Sequence, residues 1–415
     1  MQPPLSRNRN YQLLWGSRML SGFGLSSAGI AFPLLVLTTT GSAAESGVVL
    51  GTIAASQLAA GLPAGVLADR WNRKYIMVGC EAMLAAAAAS LVVAITRHAL
   101  TIPHIIVVAA VIGICGSLFE PTESASLPNL VQDRQVSTAL AMNYARSSLG
   151  HLAGTSAGGF LFAVGRAVPF VADMFGHAAA CSALMFLHIP APAARPQPAG
   201  NLRSEMLDGL RWVWQQRIIR VLAICALVLN FFFTAFYLVI IVLARRRGIP
   251  SGEIGVMAAM LGAGGVAGSL LAPYLHNKLS PFTSIASVFW VLTALTPTAV
   301  FIYSGYLMGA LFFGIALLPP TANTTILTRQ LLTTPDHLRG RLSGVIGLIV
   351  GAAAAIGPML GGILIEVLPG TQAVLVCAAG IAAVTAVITV NPTLRHFPRL
   401  GSADDDQTPI AVAET

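Results

Sequence analysis

Long apolar stretches follow one another along almost the whole chain, and short polar or glycine- and proline-containing segments separate them. Each bilayer crossing needs about 20 mostly apolar residues. Runs of that length predict twelve spans, at 13–38, 47–68, 75–96, 103–126, 147–166, 168–189, 218–243, 251–275, 282–304, 306–328, 343–367 and 371–391. Because backbone groups in lipid must bond within their own segment, and no alternating barrel pattern occurs, we expect helices. The sequence predicts an all-α membrane protein with twelve transmembrane helices.

The composition excludes a soluble protein. Only 10% of the 415 residues are charged and 55% are hydrophobic, with a mean hydropathy of +0.76. A soluble domain carries about 25% charged residues, so the charges here are too few to cover a water-exposed surface. All five cysteines lie inside apolar runs without metal-ligand spacing, and we expect buried free thiols.

The basic residues predict the orientation. Most of the 24 Lys and Arg residues fall on one side of the membrane if the N-terminus is cytosolic, so the positive-inside rule places both termini in the cytosol. The net charge of +8 then reflects topology and not a nucleic-acid surface, since basic patches interleaved with aromatic residues are absent from the sequence. The cluster Arg245–Arg247 falls on the other side, and the rule gives it no role.

The two parts of the chain repeat one another. A shift of 203 residues carries Gly65 onto Gly268, Asp133 onto Asp336, Gly154 onto Gly357, Gly158 onto Gly361 and Gly159 onto Gly362. Because this shift moves every span by six, the halves are parallel repeats, which places a substrate site between them near the midplane. We expect an N-terminal six-helix half at 1–195, a cytosolic linker with an amphipathic helix at 196–217, a C-terminal half at 218–394 and a disordered cytosolic tail at 395–415.

Three strings carry a resemblance to a known family. The loop after span 2 reads GVLADRWNRK, the loop before span 11 reads PDHLRGRLSG, and span 11 contains IGPMLGGIL. Together they resemble the major facilitator superfamily, closest to the branch of enterobactin exporters and macrolide efflux proteins. The resemblance implies a cavity lined by spans 1, 4, 7 and 10. It also assigns a gating role to residues of these strings and of the GTSAGG string in span 5, namely Gly65, Asp69, Arg70, Arg73, Lys74, Gly154, Gly158, Gly357, Pro358 and Gly361.

The gating residues have physical reasons of their own. Glycines let helices approach closely in lipid. Asp69, at the end of span 2, is placed to face the N-terminus of span 11, where the helix dipole favours a carboxylate. Arg73 is expected to pair with Asp133 or Glu123 while the cytosolic side is closed. The alternative is that this basic loop only sets the topology.

Charges inside the membrane predict a functional pair. Arg18 and Glu120 lie roughly 8–9 Å inside the cytosolic boundary at 1.5 Å per residue, and such charges are expensive unless they serve a function or find a partner. We expect Arg18 and Glu120 to pair in the cavity, as substrate contacts or a proton-sensitive switch, and Glu120 to carry any coupled proton. The alternative is a static structural pair. Glu123, one turn nearer the cytosol, is expected to be solvated.

Other polar groups in the spans have weaker roles. Asn230, Tyr237 and Asn323 are expected to line the cavity. Glu81 in span 3 and Asp173 in span 6 lie in spans that the resemblance makes peripheral, so structural hydrogen bonding is expected for both. Asp173 and His177 share a helix face at i, i+4 spacing.

These observations predict a monomeric secondary exporter of a small amphipathic compound, such as a drug, siderophore or secondary metabolite. It would work by alternating access in the bacterial cytoplasmic membrane, coupled to the proton gradient. No GxxxxGK[ST] string occurs, which argues against an ATPase module, and neither cofactor nor metal is expected. An importer or uniporter of a metabolite is the alternative. A polytopic membrane transferase, the remote alternative, would need an acidic Mg²⁺ site or a His/Asp pair at a membrane face.

Overall fold

Helices form nearly all of the described chain. The computed structural model describes residues 4–189, 210–333 and 336–395, without some of the side chains inside helices. A 3-10 turn at Leu5–Arg7 precedes α1. The helices are α1 Arg9–Thr40, α2 Ala43–Arg70, α3 Arg73–Thr96, α4 Ile102–Leu130, α5 Asp133–Val164, α6 Val168–Met185, α7 Arg217–Arg246, α8 Ser251–Lys278, α9 Pro281–Leu295, α10 Gly305–Ala316, α11 Pro319–Thr333, α12 Asp336–Val367, α13 Gly370–Val390 and α14 Pro392–Arg395.

The helices correspond to the twelve predicted spans. Helices α1 to α8 are spans 1 to 8; α9 with the 3-10 turn Thr296–Phe301 is span 9, α10 with α11 is span 10, and α12 and α13 are spans 11 and 12. Within the described residues, ten of these spans are long and apolar enough to cross a membrane by length and composition. The other two spans are formed by α2 and α5, which are 28 and 32 residues long and contain positions whose side chains lie outside the described residues. The predicted all-α fold is confirmed.

Two helix boundaries differ from the prediction. Helix α5 begins at Asp133, well before the expected residue 147. Its residues before 147 contact α1 and α4, because Tyr11 Oη donates to the Ala139 carbonyl oxygen and Arg146 pairs with Glu123. Helix α12 begins at Asp336, the 203-residue equivalent of Asp133, and both helices have 32 residues. Span 10 breaks after Ala316, and the second piece starts at Pro319, where a missing backbone N–H is tolerated in the first turn.

Two arginines of the Arg245–Arg247 cluster cap helix ends. We call the end of the bundle where α1 begins and α13 ends the terminal face, and the other end the opposite face. At the opposite face, Arg246 donates to the Ile365 carbonyl oxygen at 2.7 Å, near the end of α12. Arg247 donates to the Val300 carbonyl oxygen at 2.8 Å, at the end of span 9. Since helix C-termini carry partial negative charge, this cluster is explained by capping.

The same glycine packing occurs twice in the molecule. In the first half, a Cβ at Gly158 would overlap the Ser27 carbonyl oxygen of α1. In the second half, a Cβ at Gly361 would likewise overlap the Ala235 carbonyl oxygen of α7. Gly154 and Gly357 repeat the pattern one turn earlier, against Phe23 and Phe231. The predicted domain boundaries stay predictions, and most of the linker and the tail after residue 395 lie outside the described residues.

Glycines also bring the two halves into backbone contact. Gly362 on α12 packs against α2, and a Cβ there would lie 2.9 Å from the Ala44 Cα. The equivalent Gly159 on α5 packs against Gly255 on α8, where a Cβ on Gly255 would lie 2.9 Å from the Ser156 carbonyl oxygen. These contacts lie in the half of the bundle nearest the opposite face. Among the described residues, the halves are therefore in backbone contact toward the opposite face.

We expect Gly362→Ala to destabilise the interface between the halves. Alanine is favoured over glycine in helices by about 1 kcal/mol, but the added methyl group has no room and overpacking costs about 1–3 kcal/mol. Thermal melting of the purified protein should show a lower melting temperature, and vesicle transport should fall.

The matched control is Gly265→Ala on α8, where an added Cβ meets nothing within 4 Å. This variant should melt at or above the temperature of the native protein. Equal melting temperatures for the two variants would contradict the assigned packing.

Candidate transport site

A buried ionic network joins α1, α4 and α5. The Glu123 carboxylate on α4 accepts from Arg18 Nε at 3.2 Å and from Arg146 Nη2 at 3.0 Å. The side chains of Glu123 and Arg146 are 9% and 7% exposed, and that of Arg18 is 24% exposed. The Arg18 guanidinium also lies 4.4 Å from the centroid of the Phe119 ring, within range of a cation–π interaction. One carboxylate therefore serves two guanidinium groups.

The predicted pairing of Arg18 with Glu120 is wrong. Phe119 and Glu123 are four residues apart, so they share a face of α4, and both contact Arg18. Glu120 is turned about 100° from Phe119 on the same helix and is exposed. The expectation that Glu123 is solvated is also wrong, since the network buries it.

Arg146 is not among the predicted site residues, because the predicted span 5 begins at residue 147 and leaves Arg146 outside the membrane. Helix α5 begins at Asp133, so Arg146 lies inside the helix instead of before it, and it is 6% exposed. The signal was the absence of proline or glycine between residues 133 and 149, which allows the helix to extend back.

Glu120 lines a cavity between the two halves. The cavity has a volume of about 510 Å³, and α2, α4 and α12 form its walls. Its polar groups are Gln57, Ser117 and Glu120, and the rest is apolar or glycine. Glu120 makes no hydrogen bond or ion pair with any described residue. An unpaired carboxylate thus faces an apolar space.

The other predicted cavity residues do not line this space. Asn230 donates to its own helix, to the Ala226 carbonyl oxygen at 2.8 Å. The Tyr237 ring packs edge-on against Phe312, with centroids 5.7 Å apart. Asn323 is exposed on α11. The resemblance implied walls from spans 1, 4, 7 and 10, whereas spans 2, 4 and 11 form this cavity.

The predicted latch near the terminal face is only partly described. The side chains of Asp69, Arg70 and Asp133, and the surroundings of Gly65, lie outside the described residues. Arg73 Nη1 donates to the Ala125 carbonyl oxygen at 2.6 Å, and Lys74 Nζ donates to the Met185 carbonyl oxygen at 2.6 Å. The pairing of Arg73 with an acid stays a prediction.

An acidic contact joins the halves at the opposite face. Glu366, near the end of α12, accepts from the Ala44 backbone N–H at 2.7 Å and from Ser42 Oγ at 3.0 Å. Ser42 and Ala44 form the N-terminus of α2, where the helix dipole favours a carboxylate. The carbonyl oxygen of Pro358, one of the predicted gating residues, lies against Gly47 two turns further along the same helices.

A cluster of three ionisable side chains lies between α3 and α6. Glu81 Oε2 is 2.6 Å from His177 Nδ1, and Asp173 Oδ1 is 3.2 Å from His177 Nε2. The side chains of Glu81, His177 and Asp173 are 0%, 1% and 6% exposed. Structural bonding was expected for the two acids separately, and the structure places both on one imidazole. We call these three residues the Glu–His–Asp cluster.

Comparison with known proteins establishes the family. The model of a family described as transmembrane secretion effectors matches residues 3–412. The chain belongs to this family of the major facilitator superfamily. Its relatives match it at low sequence identity over most of its length. Solved transporter structures share its fold.

The relatives are efflux proteins. Multidrug efflux pump Tap of Mycolicibacterium fortuitum is 24% identical over 369 residues, which cover 84% of this chain and 88% of the pump. Macrolide efflux protein A of Enterococcus faecalis is 24% identical over 300 residues, which cover 71% of this chain and 92% of that protein. The predicted relation to macrolide efflux proteins is confirmed, and this secretion effector is a multi-pass membrane exporter.

The solved structures confirm the fold. The nucleoside transporter NupG superposes with a TM-score of 0.75 at 12% identity and covers 94% of this effector and 100% of its own chain. A bacterial homologue of the lysosomal transporter Spinster, solved inward-facing and unoccupied, has a TM-score of 0.74 at 14% identity and covers 96% and 99%.

We expect Glu123→Gln to destabilise this secretion effector strongly. The substitution leaves Arg146 buried without its anion, and breaking a buried pair in this way costs about 3–5 kcal/mol. Arg18 is more exposed than Arg146, so losing its ion pair with Glu123 costs less because solvent screens the charge. Thermal melting in detergent measures the change.

The double variant Glu123→Gln with Arg146→Gln serves as the control, because it removes both buried charges. It should recover part of the lost melting temperature. If the double variant is less stable than Glu123→Gln alone, the two residues are not coupled as the distance indicates.

Proposed function

We propose that this secretion effector exports amphipathic organic cations from the cytosol of a bacterial cell by alternating access in the cytoplasmic membrane. The observation that carries this proposal is the unpaired carboxylate of Glu120 in an apolar cavity between the halves. The printed names of the relatives, multidrug and macrolide efflux proteins, support a small organic substrate.

The cavity has the size and chemistry that such a substrate needs. Its volume of about 510 Å³ lies within the range of about 300–1,000 Å³ that is common for sites of drug-sized ligands. Leu58, Leu348 and Ala354 offer contacts to an apolar body, while Glu120 offers one anion to a cationic group. Because Glu120 is exposed to the cavity and has no ion-pair partner among the described residues, its carboxylate is free to pair with a bound cation.

The distribution of contacts supports loading from the terminal face. Backbone contacts at Gly362 and Gly159 hold the halves together toward the opposite face, so a ligand reaching Glu120 from that side must first separate them. The positive-inside rule places the terminal face in the cytosol, because most Lys and Arg residues lie at that end. An exporter takes up its substrate from that side.

Export against a gradient needs a driving ion, and we infer that protons supply it. The first half carries acidic groups within its spans, namely Glu120 and the Glu–His–Asp cluster, and intramembrane acids of this kind commonly mark proton pathways in transporters. The protein is expected to work as a monomer. Import or transferase activity has no described feature in its favour.

We expect Glu120→Gln to abolish export of cations and spare export of neutral compounds. The amide keeps the shape of the side chain but removes the charge that holds the cation. Everted vesicles measure uphill accumulation of tetraphenylphosphonium and of a neutral amphipathic dye, each with and without an uncoupler.

Glu120→Asp keeps the charge and is the control, with partial cation export expected. If Glu120→Gln vesicles accumulate the cation as native vesicles do, Glu120 does not hold it. If native vesicles accumulate the cation equally well with the uncoupler, protons do not drive export.

The Glu366 contact supports a latch on the face opposite to the predicted Asp69 latch. Glu366 from α12 accepts from the first turn of α2, and Asp69 at the other end of α2 is predicted to face the first turn of α12. Both latches join the same two helices at opposite ends. A rocking motion that opens one end breaks one latch and allows the other to form.

We expect Glu366→Gln to favour opening at the opposite face. The amide accepts from Ser42 and Ala44 more weakly than the carboxylate does, because charge-assisted hydrogen bonds are about twice as strong. An impermeant thiol reagent applied from that face should label Ala354→Cys, in the cavity wall, faster in the Glu366→Gln background.

Glu253→Gln is the matched control. Glu253 accepts from the Gly305 N–H at the start of α10 at 3.0 Å, which is the same kind of contact, but both partners belong to the second half. Labelling should not change in this background. Equal labelling rates in both backgrounds would exclude a latch at Glu366.

A further inference from the structure

We propose that the Glu–His–Asp cluster, formed by Glu81, His177 and Asp173, is the site where this transporter binds and releases the coupled proton. The inference rests on the proposed proton-driven export. It assigns the proton to a site away from the cavity and leaves Glu120 to the substrate.

The geometry of the cluster is that of a shared-proton site. His177 lies between two carboxylates, 2.6 Å from Glu81 and 3.2 Å from Asp173. All three side chains are at least nine-tenths buried. Asp173 Oδ1 and His177 Nε2 are buried without a hydrogen bond between them, and the second oxygen of Glu81, Oε1, is likewise buried and has no hydrogen-bond partner among the described residues. That oxygen is an acceptor without a donor, as expected where a proton can be added.

The charges of the cluster do not balance without an added proton. Two carboxylates and one imidazolium carry a net charge of −1, and one more proton on a carboxylate oxygen brings the cluster to zero. An uncompensated charge inside a membrane is costly, so an added proton offsets that cost. Its two forms differ by one H⁺ and by one unit of charge.

The groups that face the cluster do not supply the missing positive charge. Cys80 on α3, Cys115 on α4 and Cys181 on α6 are the neighbouring titratable groups. On α1, the residue packed against Asp173 is Gly24, which has no side chain. Arg18, further along α1, is already bonded to Glu123. Among the described residues, an added proton is therefore the available counter-charge.

Helix α1 connects the cluster to the transport site. A Cβ at Gly24 would lie 2.8 Å from the Asp173 Cα, so α1 and α6 are in backbone contact beside the cluster. Arg18 on the same helix is bonded to Glu123, three residues from Glu120 on α4. A change of charge on Asp173 thus acts on the helix that carries Arg18.

The exchange balances in protons and charge. One H⁺ binds a carboxylate of the cluster while the transporter is open to the opposite face, and it leaves to the terminal face after the halves rock. One monovalent organic cation moves the other way. No covalent bond or electron is involved, and one complete cycle moves no net charge.

The test measures protons released when a cation binds. Full-length protein in lipid nanodiscs, in a weakly buffered solution with a pH dye, receives tetraphenylphosphonium. We expect the native protein to release protons on binding, since ligand and proton are linked. His177→Gln and Glu81→Gln should still bind the cation and exchange it across vesicles without a gradient. Their proton release should fall to background, and they should lose uphill accumulation.

The matched control is His104→Gln. His104 lies within 2.9 Å of Ser90 Oγ between α3 and α4, outside the cluster, so proton release should be unchanged. Native proton release from both cluster variants would overturn the proposal while export itself stands. Failure of the native protein to bind the cation would instead count against the proposed function.

A second measurement tests the proposal if the cluster variants do not fold. Infrared spectra of unliganded Glu120→Gln protein at neutral pH should show the C=O band of a buried protonated carboxyl group, because the cluster keeps its proton in that variant. Absence of the band would overturn the proposal.

Discussion

Backbone contact between helices is the constraint on which this structure depends. Lipid tails are as apolar as leucine, so no hydrophobic force drives one membrane helix onto another, and helices associate by close packing. Gly158 and Gly361 bring α5 and α12 against the first helix of their own halves, while Gly159 and Gly362, one residue later, bring the same helices against the other half. Each of these two helices therefore packs on two partners at once. A rocking motion can pivot on them without losing the packing within a half.

Two ionic clusters with opposite excesses of charge contact α1. The network of Arg18, Glu123 and Arg146 holds two cations and one anion, whereas the Glu–His–Asp cluster holds two acids and one imidazole. Neither group is neutral by itself, yet the two belong to the same half and share a neighbouring helix. Arg18 on α1 belongs to the network, and Gly24 on α1 contacts Asp173 of the cluster, so one helix borders both groups.

The fold and the glycine packing could be predicted from the sequence, whereas the ionic contacts could not. The constant offset from Gly154 to Gly357 and from Gly158 to Gly361 lies within single helices, so sequence alone reveals it. The choice of Glu123 over Glu120 as the partner of Arg18 depends on how α4 is rotated about its axis, and hydropathy carries no such information. Glu81 and His177 are 96 positions apart and meet only because α3 packs on α6. Contacts of that kind follow from tertiary packing.

The acidic and basic residues of the second half lie at or near the ends of its spans. Span 7 has none from 221 to 244 and span 12 has none from 371 to 391, while Glu253 lies in the first turn of α8 and Glu366 in the last turn of α12. Its wall of the cavity is built from Gly344, Gly347, Leu348, Gly351 and Ala354 on α12. Mutations in this wall can enlarge or reshape the space for a ligand without touching any ionic contact of the first half. The shape of the cavity can therefore change through substitutions in α12, while the ionic contacts of the first half stay as they are.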